Sequence, residues 1–339
     1  MSPLARIVLF VSATLLGGLL VLSCERAPSP PGDSATGAPS DVAKNLEQEV
    51  LEARRLSQSG QSKQAIEKVK SLVERYPQYA TLLRAELAGA YMAANEPEQA
   101  LAAVDTALVA SPTDEGLLML RGQIFERSGR AAEAVELYEK IIAEHPDSLR
   151  PRLHLAELLL AAGQFVKAAS HYRTCSQLAP GVGSIHLRLA VIEKRLGRLE
   201  PARQAARKAS ALMDNDLDAH RLYQDIAIAL GQRESLLKEY QERLESSPRN
   251  STFHYLYGRI IQDPEAARAE FDIASQLDPK AFWPNFGLGI QYYLQGEYET
   301  ARKQMETALA SRSPDSYRAV LYLCLIDMAS GDYAKAVER

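Results

Sequence analysis

Three histidines are the first residues to question for chemistry. His186, His220 and His254 follow one another at intervals of 34 residues, and imidazole is the commonest metal ligand among side chains. Equivalent places on successive packed helices would put the rings about 8–10 Å apart. Zinc takes nitrogen ligands at about 2.0–2.1 Å, so one ion could reach at most two of the three. The spacing therefore favours a large ring packed at one recurring structural position, and no metal site is assigned. Other motifs are equally poor in chemistry. The chain has no Gly-x-Ser-x-Gly elbow, no His-Glu-x-x-His and no phosphate loop. Gly287-Leu288-Gly289 is a lone Gly-x-Gly in a helical stretch, and Asn250-Ser251-Thr252 is a glycosylation sequon that chance explains. No catalytic residue and no cofactor are assigned, and the chain is not expected to be an enzyme. A net charge of −4 leaves no basic footprint for nucleic acid.

The interval itself is the stronger signal. Gly129, Gly163, Gly197 and Gly231 also recur every 34 residues, each followed five residues later by Ala134, Ala168, Ala202 and Leu236. Pro146, Pro180, Asp214 and Pro248 close the same units. The frame extends upstream through Gly60, Ala65, Pro77 and Asn95, Ala100, Pro112. Downstream it runs through Gly258, Ala267, Pro279, then Gly296, Ala301, Pro314, then Gly331, Ala336. The copy marked by Gly258 reads as about three residues short in its central turn. A fixed period of this size predicts stacked helix pairs. Glycine supplies the left-handed residue that ends the first helix, and proline stops the second. Small residues such as Ala88, Gly122, Ala156, Ala190 and Gly289 let paired helices approach, while Val104, Tyr138, Tyr172, Tyr240 and Met305 fill the space between layers. One unit departs from the pattern, with Gln224, Leu236 and Arg243 at small-residue places. A looser joint or simple drift of one copy would account for it. Cys175 and Cys324 each replace a small repeat residue too far apart to be bridged, and both are expected to be buried free thiols.

Over roughly residues 46–339 this pattern resembles the tetratricopeptide repeat family. The resemblance implies an all-α, right-handed superhelical solenoid of stacked antiparallel helix pairs, about eight repeats plus a partial ninth. It also implies that the first helix of each pair lines a concave groove that holds a protein or peptide partner. The frame then points Tyr255, Arg259, Trp283, Phe286, Ile290, Tyr293, Leu321 and Leu325 inward. These late repeats concentrate apolar and aromatic side chains, including the single tryptophan, which are favoured interface anchors. The Lys and Asn pairs with which one subgroup binds acidic chaperone tails are missing, since Ala85, Gly89 and Met119 stand there.

The N-terminus carries an address. Arg6, an apolar run from Ile7 to Leu22 and Ser23-Cys24 form a segment of signal-peptide length, short of the ~20 apolar residues of a membrane span. Leu20-Val21-Leu22-Ser23-Cys24 resembles the lipobox of bacterial lipoproteins, which implies lipidation of Cys24. An uncleaved anchor and simple secretion are the alternatives. Residues 1–23 read as the signal peptide, 24–44 as a Pro/Ser/Gly/Ala tether and 45–339 as the solenoid. Glu25 in place of the inner-membrane aspartate of the Gram-negative family implies the outer membrane, facing the periplasm. The leading expectation is a membrane-tethered interaction scaffold of the bacterial envelope that assists assembly of a larger complex. The alternative is the binding portion of a larger enzyme whose catalytic domain lies beyond residue 339.

Overall fold

The computed structural model describes residues 41–338, and the chain divides into two compact units at His171. Cys24, the apolar run and most of the tether lie outside the described residues. The first unit holds α1 (Asp41–Gln58), α2 (Ser62–Arg75), a 3-10 turn (Pro77–Tyr79), α3 (Ala80–Ala93), α4 (Pro97–Ala110), α5 (Glu115–Arg127), α6 (Ala131–Glu144), α7 (Leu149–Ala161) and the start of α8 (Phe165–Leu178). The second unit takes the rest of α8 and then α9 (Gly183–Arg195), α10 (Leu199–Leu212), α11 (Leu217–Ala229) and α12 (Arg233–Ser246). It ends with α13 (Ser251–Gly258), α14 (Pro264–Leu277), α15 (Phe282–Leu294), α16 (Tyr298–Ala310), α17 (Ser316–Ala329) and α18 (Tyr333–Glu338). The described residues are all-α, eight full pairs and a ninth whose second helix is only 6 residues long. Since α1 starts at Asp41, residues 41–44 are helical and do not belong to the tether.

Eight of the nine described pairs turn on a left-handed residue. Gly129 has φ +72°, its N–H donates to the Glu126 carbonyl at 3.1 Å and the Arg130 N–H to the Phe125 carbonyl at 2.9 Å. These bonds satisfy carbonyls that the end of α5 would leave unpaired. Asn95, with φ 60°, performs the same turn, as a short polar side chain can. The boundary between pairs is tied differently. Nε2 of His186, His220 and His254 hydrogen-bonds the carbonyls of Pro180, Asp214 and Pro248 at 3.1, 3.1 and 3.0 Å. Arg152 donates to the Pro146 carbonyl and Asn285 Nδ2 to that of Pro279. The histidine series is therefore one recurring tie, from an early residue of a first helix to the carbonyl six residues before it.

Helix pairs close where a side chain is missing. A Cβ on Gly122 would lie 2.5 Å from Tyr138 Cε1, so the buried tyrosine ring occupies that space. Gly258 belongs to this class, which corrects its assignment as a turn glycine. It is helical, and a Cβ there would stand 2.8 Å from Phe271 Cε1. The short copy accordingly loses length from its first helix, since α13 spans 8 residues where its counterparts span 13. The early stop leaves carbonyls without helical partners. Gln224 Nε2 donates to the Leu256 carbonyl at 2.8 Å, and Arg233 Nη1 to that of Ile260 at 2.8 Å. Gln224 Oε1 accepts from Arg259 Nη1 at 2.6 Å. The unit that departs in sequence is thus tied to its neighbour through a fully buried glutamine, while its own two helices, α11 and α12, pack sparsely against each other. Asn250 of the sequon caps α13, accepting from the Phe253 N–H at 3.2 Å. Neither Cys175 nor Cys324 forms a disulfide, but only Cys175 is buried, and Cys324 is half-buried.

Candidate functional site

In the second unit the first helices of four successive pairs, α11, α13, α15 and α17, contribute to one cavity of about 330 Å³. Tyr255, Arg259, Trp283, Phe286 and Ile290 all line it, together with Arg221, Phe271, Gln291, Arg318 and Tyr322. The frame of the repeats therefore brought five expected residues to one place. Tyr293, Leu321 and Leu325 are not among the lining residues. Tyr293 packs against Tyr298 and Tyr322 at ring distances of 5.9 and 5.8 Å, Leu325 is half-buried, and Leu321 is 58% exposed.

The expectation of an open apolar patch needs correction in depth. Trp283 and Phe286 are only 9% and 7% exposed, and Tyr255 only 4%. Phe282 stacks on Phe286 at 5.3 Å, Phe282 meets Trp283 edge-on at 5.0 Å, and Tyr255 lies 6.1 Å from Trp283. These rings are core on one side and cavity wall on the other. Aromatic contacts at such distances add about 0.5–1.5 kcal/mol each beyond area burial, so the wall is rigid.

Charge at this wall is one-sided. The Arg221 guanidinium lies 3.4 Å from the Trp283 ring centroid and that of Arg318 lies 5.7 Å from it. Three arginines line the cavity and no carboxylate does, although the whole chain is acidic. Burial pushes the Tyr255 phenol above its ordinary range, opposed by the positive charges of Arg259, Arg221 and Arg318. The acidic neighbours sit outside the lining. Asp225 pairs with Arg259 at 2.7 Å, Asp315 with Arg318 at 3.1 Å and Asp218 with Arg221 at 3.7 Å. Arg221 Nε is buried without a hydrogen-bond partner. Sequence reasoning does not link Arg221 to the aromatic group. It missed Arg318, Gln291 and Tyr322. Arg221, Tyr255 and Phe286 occupy the same place in their helices, four residues past the start, and that shared register was the available signal.

Two sequence models described as tetratricopeptide repeat match the chain, one over residues 127–172 and 159–226, the other over 50–115, 86–148 and 286–338. The chain belongs to the tetratricopeptide repeat family. Members of this family are interaction scaffolds that hold protein or peptide partners, and this chain is such a scaffold by family. It is 29% identical over 139 residues to cellulose synthase operon protein C of Pseudomonas fluorescens, covering 41% of this chain and 11% of that protein. It is 30% identical over 99 residues to a TPR repeat-containing thioredoxin of Arabidopsis thaliana, covering 29% and 14%. The matched stretch is thus a small part of either relative. A solved tetratricopeptide repeat protein of Parabacteroides merdae aligns over 73% of this chain and 99% of its own, with 15% identity and a TM-score of 0.44.

Proposed function

We propose that this tetratricopeptide repeat chain is a membrane-tethered scaffold of the bacterial envelope, holding a partner segment in the cavity of its second unit. The observation that carries the reading is convergence: four successive first helices present rigid rings and three guanidiniums to one open pocket. A preformed site confines the ordering cost of binding to the ligand. The tether rests on Leu20–Cys24 and the lipobox resemblance, with the outer membrane facing the periplasm as the proposed address. A lipid at Cys24 would raise the local concentration of the cavity at the membrane. Likeness to a cellulose synthase operon protein supports service to a larger assembly.

One experiment tests both halves. Membranes carrying the intact protein, Cys24→Ser or Ile290→Trp, which fills the cavity, are crosslinked and the captured partners identified by mass spectrometry. The reading expects Cys24→Ser to leave the membrane fraction or persist as an unprocessed precursor, and Ile290→Trp to stay in place but lose its partner. Retained lipid labelling in Cys24→Ser would overturn the anchor, and equal capture by Ile290→Trp would overturn the site. A second reading, the binding portion of a larger enzyme, draws on relatives in which the matched repeats fill only 11% and 14% of the chain. Continuation of the reading frame past Arg339 into a further domain would favour it.

A further inference from the structure

We propose that the cavity selects an acidic peptide segment, one in which an aspartate or glutamate side chain stands beside an aliphatic or aromatic residue. This rests on the reading of the cavity as the partner site and specifies what the partner must bring. Size comes first. Pockets for compact ligands run about 300–1,000 Å³, and about 330 Å³ is the low end, room for one or two side chains of a segment that otherwise passes over the mouth.

Charge decides what those side chains are. Arg221, Arg259 and Arg318 line the space with no acidic counterpart in the lining, in a chain of net charge −4. The aspartates that pair with Arg221 and Arg259 do not cancel this. Asp218 is 80% exposed and Asp225 44%, and solvent-exposed ion pairs are worth at most about 1 kcal/mol. The Arg221 side chain is only 19% exposed, and its buried Nε makes no hydrogen bond. Its guanidinium is already stacked on Trp283 at 3.4 Å, so its plane is fixed before any ligand arrives. A carboxylate meeting a preorganised guanidinium makes short, charge-assisted and often paired hydrogen bonds. The apolar half of the ligand follows from the other walls. Phe271, Phe286, Ile290 and Tyr322 offer contact to a ring or a branched aliphatic chain and nothing to a second charge.

The test uses a pool of synthetic peptides with blocked N-termini and C-terminal amides, randomised at their central positions without cysteine, so that only side chains can supply a carboxylate. The pool is passed over the full-length protein, over Arg221→Gln/Arg318→Gln and over Ile290→Trp, each with helix content confirmed by circular dichroism. The proposal expects acidic residues adjacent to Leu, Ile, Phe, Tyr or Trp to be enriched about tenfold or more, equivalent to about 1.4 kcal/mol. That enrichment should disappear from the double arginine variant and fade in the wild type as sodium chloride is raised. Enrichment of apolar peptides without acids, abolished by Ile290→Trp, would overturn the ligand chemistry while leaving the cavity as the site. Acidic enrichment that survives in Ile290→Trp would overturn both, as would an eluate no different from the input. Should the arginine variant fail to fold, the wild-type selection and its salt dependence decide alone.

Discussion

At single positions the repeats assign the same atom to the same task, and this makes substitutions predictable by analogy within the chain. His220 ties the Asp214 carbonyl through Nε2 and meets the Tyr240 hydroxyl with Nδ1 at 2.8 Å. Burial pushes its pKa below the ordinary value of about 6.5, with the charge of Arg243 acting in the same direction and Asp214 and Glu239 opposing. The folded protein therefore favours the neutral ring. Its contribution to stability is present above about pH 6.5 and is lost as pH falls, because the unfolded chain takes up the proton first. Asn285 makes the equivalent tie to the Pro279 carbonyl at 3.1 Å and carries no titratable group. His220→Asn should accordingly keep the boundary tie and flatten the decline in urea-unfolding free energy between pH 7 and 5. A decline as steep as the wild type's would assign it to other groups. Trp283 belongs to this scale too. At 9% exposure its truncation to alanine should cost about 3–5 kcal/mol and lower the melting temperature visibly, so loss of partner capture in that variant alone says little about the cavity. Ile290, only half-buried, is the cleaner position.

At the level of the helix, α13 shows what a repeat frame reveals and what it hides. The turns were legible because left-handed backbone demands Gly or Asn, and the pairings were legible because small residues recur against large ones. The period also announced that one copy is short by about three residues. It could not say which element gave them up, since a period records where register resumes and not where the chain was cut. Gly258 could have settled this, standing 34 residues after Gln224 and so at a small-residue place. Gln224 looked like drift because its reason lies in the following repeat, on the Leu256 carbonyl that the early end of α13 exposes. The cavity was half legible for a similar reason. The frame gives the direction of a side chain but not how far the next helix covers it, so Trp283 was expected in the open, and Arg318 gave no sign of meeting a ring on another helix. Gln224→Leu should cost about 1–3 kcal/mol by leaving a buried carbonyl unpaired. In hydrogen exchange the loss should concentrate at the end of α13 and the loop to Asp263. Unchanged protection there would mean that the truncated helix does not depend on its neighbour for its cap.

Across the whole molecule the organising fact is that the helices in extensive contact are neighbours along the chain or next but one. In such arrays stability is close to a sum of repeat terms and nearest-neighbour terms, so damage should stay local. Tyr138 is fully buried, its hydroxyl donates to Glu126, and its ring fills the space that Gly122 leaves. Tyr138→Ala should cost about 3–5 kcal/mol, with faster amide exchange in α5, α6 and α7. Amides of α13 to α17 should keep their wild-type protection, and the cavity they build should keep its ligands. Urea unfolding of this variant should then separate into more than one step, because the weakened repeats melt before the rest. A uniform loss of protection from α1 to α17, with a single sharp transition, would mean that coupling between repeats exceeds the stability of any one of them. The binding unit would then depend on every pair in the chain and not only on its own.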